Sequence, residues 1–190
     1  MKRAVIVHCW SGTPDYCWYP WVKQELEQRG FKVTVPAMPD TDAPKLSWWL
    51  PKLVETVSDP DEELYLIGHS AGCITIMRYL EQLPADTKIA GIVLVAGFTN
   101  DLGMPELSNF YKTPVDFEAI KARVADGIYL IHSDNDQYVP VQEGKILEEK
   151  LSGRLQILHN MGHFSGDVDD EASCLRLPEV VQAIEEAEAH

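Results

Sequence analysis

A hydroxyl, a carboxylate and an imidazole occur along this sequence in an order that nucleophilic acyl chemistry can use. The hydroxyl belongs to Ser70, inside Gly68-His69-Ser70-Ala71-Gly72. An apolar run, Leu64–Gly68, leads into it, and helical spacing (Ile74, Met77, Leu80) leaves it. That strand–turn–helix setting holds a serine on a sharp bend with its oxygen exposed. Gly68 and Gly72 are expected to let strand and helix approach, because a side chain at either would hold them apart. The bland alternative is a Gly-rich loop with a surface serine, and it leaves the flanking strand and helix patterns unexplained.

A serine hydroxyl is a weak nucleophile near neutral pH and needs a base, which in turn needs an orienting acid. In such an architecture the acid follows a later strand and the histidine follows the last one. After the fifth predicted strand comes Ser133-Asp134-Asn135-Asp136-Gln137-Tyr138-Val139-Pro140. Asp136 lies in the loop proper and is favoured as the acid, whereas Asp134 sits nearer the strand end and can brace the turn. After the sixth comes His159-Asn160-Met161-Gly162-His163-Phe164. His163, behind a glycine, is the expected base, and His159, at the strand end, reads as a supporting or a core histidine. The oxyanion formed on attack needs backbone N–H donors. Ala71 should give one, and the loop His8-Cys9-Trp10-Ser11-Gly12 the other, from Trp10 first and Cys9 second.

The elements that must bring these groups together are legible as alternating patterns. Ala4–His8, Lys32–Pro36, Leu64–Gly68, Ile89–Ala96, Gly127–His132 and Arg154–His159 read as strands, several almost wholly apolar as strands buried on both faces are. Helical patterns cover Trp21–Arg29, Leu46–Val57, Ala71–Gln82, Phe117–Ala125, Val141–Leu151 and Leu177–Ala187. The alternation predicts one α/β domain over residues 1–190, a three-layer α/β/α sandwich on a predominantly parallel six-stranded sheet. One connection, Gly97 to Pro114, is long enough for a lid or binding segment, or for a cover over the core. Its Phe98, Phe110 and Tyr111, with Trp18 beside the first helix, are the expected substrate-binding aromatics.

The chain has 190 residues, 45% hydrophobic and 24% charged, with a net charge of −14. Such an acidic surface argues against nucleic acid and against anionic lipid as partners. The N-terminal apolar run is too short for a signal-peptide core, and no segment is long and apolar enough to span a bilayer. A cytoplasmic protein acting on a small acyl substrate, with any protein partner unknown, is the expectation. Cys9, Cys17, Cys73 and Cys174 have neither zinc-site nor disulfide-framework spacing and are expected as thiols, a Cys9–Cys17 pairing being the exception to watch.

Taken together these pieces resemble the α/β-hydrolases, and more closely the small retinoblastoma-binding-protein-nine-like serine hydrolases with a minimal cap. The resemblance rests on Ala4–His8 followed by a Trp-containing loop, Trp18-Tyr19-Pro20-Trp21, Met38-Pro39-Asp40, Trp49-Leu50 and the Ser70 pentapeptide. It continues through Ile92–Val95, Thr99-Asn100-Asp101-Leu102-Gly103, Asp136–Pro140 and Gly162-His163-Phe164. It implies a Ser70–His163–Asp136 triad and hydrolysis of small acyl esters or amides, with no cofactor and no metal. Cys9 departs from the glycine many α/β-hydrolases carry there. The Leu-x-Cys-x-Glu motif for retinoblastoma-protein binding is missing, so that partner is not implied. Two other classes compete: a metal-dependent hydrolase using His8, His69, His132, His159 and His163, and a non-catalytic interaction module displaying its tryptophans. A Cys73 nucleophile is disfavoured by its place inside the helix.

Overall fold

The apolar runs pair side by side, all parallel, in the order β2-β1-β3-β4-β5-β6. The strands are β1 Arg3–Val7, β2 Lys32–Thr34, β3 Leu64–His69, β4 Ile89–Val95, β5 Val124–Ser133 and β6 Arg154–Leu158. The helices are α1 Tyr19–Gln28, α2 Leu46–Val57, α3 Ala71–Glu81, α4 Phe117–Ala122, α5 Val141–Leu151 and α6 Pro178–Glu188. The structure is a computed structural model and describes residues 1–165 and 174–189. No described helix is long and apolar enough to cross a membrane.

Strand side chains alternate between two cores. Ala4, Ile6, Ile67, Val93 and Ile131 pack with α1 and α6 on one face. Val5, Val7, Leu66, Leu94 and Leu130 pack with α2, α3 and α5 on the other. Every residue of β3 and β4 is buried, which explains why those runs lack the polar alternation of a one-sided sheet. The expected α/β/α sandwich therefore stands, with a sheet that is parallel throughout.

Element ends moved for local reasons. Helix α1 begins two residues earlier than expected, because Pro20 fits a first turn that needs no N–H from it. Helix α4 stops at Ala122, since Val124 already pairs with Ile89 on β4. Residues after β4 wind one short 3-10 helix, Pro105–Phe110.

Sheet order places the site. From β1 the chain crosses to one edge, and from β3 onward to the other, so a crevice opens at the carboxyl ends between them. The loops after β1, β3, β5 and β6 all leave from that edge.

Candidate active site

Ser70 sits between β3 and α3 with φ 53° and ψ −116°. An L-residue held there costs about 1–3 kcal/mol, so its surroundings must impose it. The Ser70 N–H donates to the Val95 carbonyl at 2.9 Å, and the Ser70 carbonyl accepts from the Cys73 N–H at 2.9 Å. A Cβ on Gly72 would lie 2.1 Å from the Val7 carbonyl oxygen, and one on Gly68 would lie 2.8 Å from the Cys73 N and Cα. Both obstacles are backbone and cannot swing aside, so glycine is required at each position, as the sequence suggested.

Four consecutive residues after or ending β5 hold the loop after β6. Ser133 Oγ accepts from Met161 N–H at 2.9 Å, Asp134 Oδ1 from Asn160 N–H at 2.9 Å, and Asn135 Oδ1 from Gly162 N–H at 2.8 Å. Asp136 Oδ2 lies 2.8 Å from His163 Nδ1. The other Asp136 oxygen accepts from the Tyr138 and Val139 N–H groups at 2.8 and 2.9 Å. The Asp136 and His163 side chains are 1% and 9% exposed, so this pair is shielded from water and its bond keeps its strength. Asp134 contacts His159 instead, whose side chain is 80% exposed, so His159 is a surface histidine and not a core one. The Asn160 N–H, then His159, hold its carboxyl below the usual range.

In the loop after β1, three of four amides are engaged. Cys9 N–H donates to the Tyr19 hydroxyl, Ser11 N–H to the Thr41 carbonyl and Gly12 N–H to the Cys9 carbonyl. Among the described residues the Trp10 N–H has no acceptor. Ala71 opens α3 and has a first-turn amide with no intrahelical carbonyl to reach.

Ser70, His163 and Trp10 open into one cleft of about 320 Å³. Phe98, Leu102, Met104 and Leu107, all after β4, form an apolar wall, and Tyr16, Tyr138 and Val139 complete the rim. The Tyr138 ring meets the His163 ring edge-on at 5.1 Å. Of the four aromatics expected at the substrate, Phe98 alone reaches this cleft. Trp18 and Phe110 are fully buried, one against Tyr19 and His69, the other against Trp49. Tyr111 lies behind Phe98 and donates to its carbonyl at 2.9 Å. Their apolar rings were drawn into the core, and aromatic type alone does not say which way a loop residue faces.

The strand-end histidines are occupied separately. His8 donates from Nδ1 to the Cys9 carbonyl and accepts at Nε2 from Met38 N–H. His69 bonds the Tyr19 hydroxyl and the His163 carbonyl. Burial lowers the pKa of His8, His69 and His132, the last to about 4. Among the described residues no three His, Cys, Asp or Glu side chains converge as a metal site, and all four cysteines are buried thiols outside any disulfide. Burial pushes the Cys73 thiol up, which disfavours a thiolate there. Ser133, Asn135 and Tyr19 are the contributors that the sequence did not single out.

Comparison with known proteins agrees with this architecture. The serine hydrolase family model matches residues 4–184. The chain is 32% identical to the YdeN protein of Bacillus subtilis (strain 168) over 167 residues, 87% of each chain. It is 35% identical to the serine hydrolase RBBP9 of Rattus norvegicus over 167 residues, 85% of this chain and 87% of that one. The crystal structure of the B. subtilis ydeN product superposes with a TM-score of 0.90 at 29% identity, covering both chains fully. Est1E from Butyrivibrio proteoclasticus, with ferulic acid bound, shares the fold at a TM-score of 0.73 and 14% identity, covering 98% of this chain and 87% of that one. With its strand order, its bend at Ser70 and these relatives in agreement, the chain belongs to the serine hydrolase family and is a YdeN-type member with the α/β-hydrolase fold.

Proposed function

We propose that the protein hydrolyses small acyl esters or amides through Ser70, His163 and Asp136, by way of an acyl-enzyme. The observation that carries this reading is the shielded Asp136–His163 pair opening, with Ser70, into one cleft. Ser70 Oγ attacks the acyl carbonyl carbon while His163 takes the hydroxyl proton. Asp136 accepts from Nδ1–H, which leaves Nε2 as the basic nitrogen and stabilises the imidazolium. The oxyanion is received by the Ala71 and Trp10 N–H groups. Collapse expels the alcohol or amine, which takes the proton back from His163. Water then repeats the sequence on the acyl-enzyme, freeing the acid and Ser70. No step needs a cofactor.

The cleft volume stands at the small end of the roughly 300–1,000 Å³ usual for ligand sites. Its Phe98–Leu107 wall suits a short apolar acyl group. The test is a series of p-nitrophenyl esters of rising acyl length, with aminoacyl amides alongside, on wild type and Ser70→Ala. We expect turnover of short esters, a decline with chain length, and a loss of about 10³-fold or more in Ser70→Ala. Wild-type turnover in Ser70→Ala would overturn the reading.

A further inference from the structure

Behind Ser70 runs a hydrogen-bonded chain that none of the acyl-transfer steps consumes. It consists of Tyr19, from the first turn of α1, and His69, the last residue of β3, both with no solvent exposure. Cys9 N–H lies 3.1 Å from the Tyr19 hydroxyl, which lies 2.7 Å from His69 Nδ1. His69 Nε2 lies 2.8 Å from the backbone carbonyl of His163.

The proton positions follow from these partners. A carbonyl can only accept, so His69 Nε2 carries a hydrogen. Burial, then the neighbouring His163, holds the His69 pKa well below its usual value, so the ring is neutral and Nδ1 is a bare acceptor. Tyr19 must then donate to Nδ1, and its lone pairs accept from Cys9. Every polar atom of both side chains is used, and in one direction. Trp18 fixes the two rings, 4.6 Å from Tyr19 and 5.7 Å from His69 between centroids.

What the chain joins gives it a purpose. One end holds the Cys9 amide, one peptide before the Trp10 N–H. The other end holds the main chain at His163, between Gly162 at φ 52° and Phe164 at φ 55°. Both segments are irregular backbone from opposite ends of the sequence, and neither belongs to a strand ladder that could fix it.

We infer that Tyr19 and His69 are positioning residues that hold the oxyanion-binding loop and the His163 loop in register about Ser70. The inference rests on the acyl-transfer reading above. Groups held this way matter most in the transition state, so their loss should lower kcat and spare KM.

Tyr19→Phe keeps the ring and removes the link. For p-nitrophenyl acetate we expect kcat to fall about 10–100-fold, the range for a misplaced oxyanion donor, with KM within about twofold. His69→Gln can still accept from Tyr19 and donate to the His163 carbonyl, and should stay within about fivefold of wild type, whereas His69→Leu should match Tyr19→Phe. Because the residues act as one unit, Tyr19→Phe with His69→Leu should be no worse than the poorer single variant. Unchanged kcat in folded Tyr19→Phe, or equal activity in His69→Gln and His69→Leu, would overturn the inference. Should those variants not fold, ¹⁵N NMR of the wild-type imidazole decides: Nε2–H with bare Nδ1 supports the chain, and an Nδ1–H ring refutes it. A fluorophosphonate that labels wild type but not Ser70→Ala, run in parallel, separates failure of this inference from failure of the acyl-transfer reading.

Discussion

The two sides of the cleft are held by different physics. Its floor, the loops after β5 and β6, is pinned residue by residue from Ser133 to Asp136, each accepting from Met161, Asn160, Gly162 or His163 in turn. Its wall, residues 97–114, hangs from buried charges near its two ends. At one end Glu143 on α5 accepts from Thr99 N–H and Oγ1–H at 2.7 and 2.6 Å and from Asn100 Nδ2 at 2.8 Å. At the other, Arg78 on α3 donates to the carbonyls of Phe110 and Thr113 and pairs with Glu81. Between these anchors the backbone of Leu102, Gly103 and Met104 bonds within the loop itself. A floor fixed at every residue suits chemistry that needs exact placement of reacting groups. A wall fixed near its ends can change its lining without disturbing that placement, so under the proposed mechanism substrate choice and catalysis should be separable by mutation.

The floor breaks most sharply at one carboxylate. Asp136→Ala should lower kcat/KM for an activated ester by about 10³–10⁴-fold, because His163 loses both tautomer and orientation. Asp134→Ala, two residues away, removes a surface bond to His159 and one to the Asn160 amide, and should cost less than about threefold in activity. Steady-state kinetics on the two variants checks this, and equal losses would mean that the floor is not organised around the Asp136–His163 pair.

The wall should fail in stability before it fails in chemistry. Arg78→Met removes a guanidinium that is 6% exposed, leaving Glu81 with its bond from Asp116 N–H but without its cation, and the Phe110 and Thr113 carbonyls without this donor. Removing one partner of a buried pair costs about 3–5 kcal/mol, which urea unfolding would report. A loss under about 1 kcal/mol would show that the wall does not depend on this anchor.

Sequence reading succeeded where a signal was local. Helices α2 and α5 were legible to the residue, because apolar spacing and a following Ser or Gly set their ends. The bend at Ser70 was legible because its two glycines have one explanation, close backbone approach. That Asp136 rather than Asp134 meets His163 followed from its place in the loop. Tyr19 was invisible as a polar residue: the sequence placed it just before the first helix among tryptophans, and its partner lies 50 positions away. Glu143 and Arg78 carried no local signal, because the groups they hold, Thr99 with Asn100 and Phe110 with Thr113, are 32 or more positions away. Phe110 and Trp18 were placed at the substrate because aromatic content marks apolar contact without saying whether core or ligand supplies it. Trp10 stood ahead of Cys9 as the second donor from the sequence, and the Tyr19 hydroxyl that engages the Cys9 amide is brought there only by the fold.

Acidification tests the floor from beneath. His132 on β5 is 1% exposed, its Nε2 has no hydrogen-bond partner among the described residues, and α5 rests on its ring so closely that a Cβ on Gly144 would come within 2.7 Å. Burial outweighs the attraction of Asp136 and Glu143 and lowers its pKa from 6.5 to about 4. Between those values the unfolded chain binds a proton that the folded chain refuses. Stability is therefore full above the unfolded pKa and lost as pH falls from 6.5 toward 4, by about 3 kcal/mol at the lower end. Urea unfolding at pH 7, 5.5 and 4 should show a shallower decline in His132→Leu than in wild type. Identical declines would assign the acid sensitivity elsewhere.

The smallest expected effect separates the two sides most cleanly. Glu143→Gln keeps one acceptor for Thr99 but presents an amide N–H₂ to the Asn100 side-chain amide, two donors face to face. Asn100 can answer by turning its oxygen toward the new amide, but that oxygen now accepts from Leu102 N–H at 2.8 Å. Leu102 lines the cleft, so the cost of the swap is delivered to the apolar wall and not to Ser70 or His163. A charge-assisted bond exchanged for a neutral one is worth about 1.5 kcal/mol, or about tenfold. The ratio of kcat/KM for a longer acyl ester over acetate should therefore change by about tenfold, with kcat for acetate within about threefold of wild type. If acetate turnover falls as far as that of the longer ester, wall and floor are one mechanical unit, and the division between choosing a substrate and cleaving it does not hold for this fold.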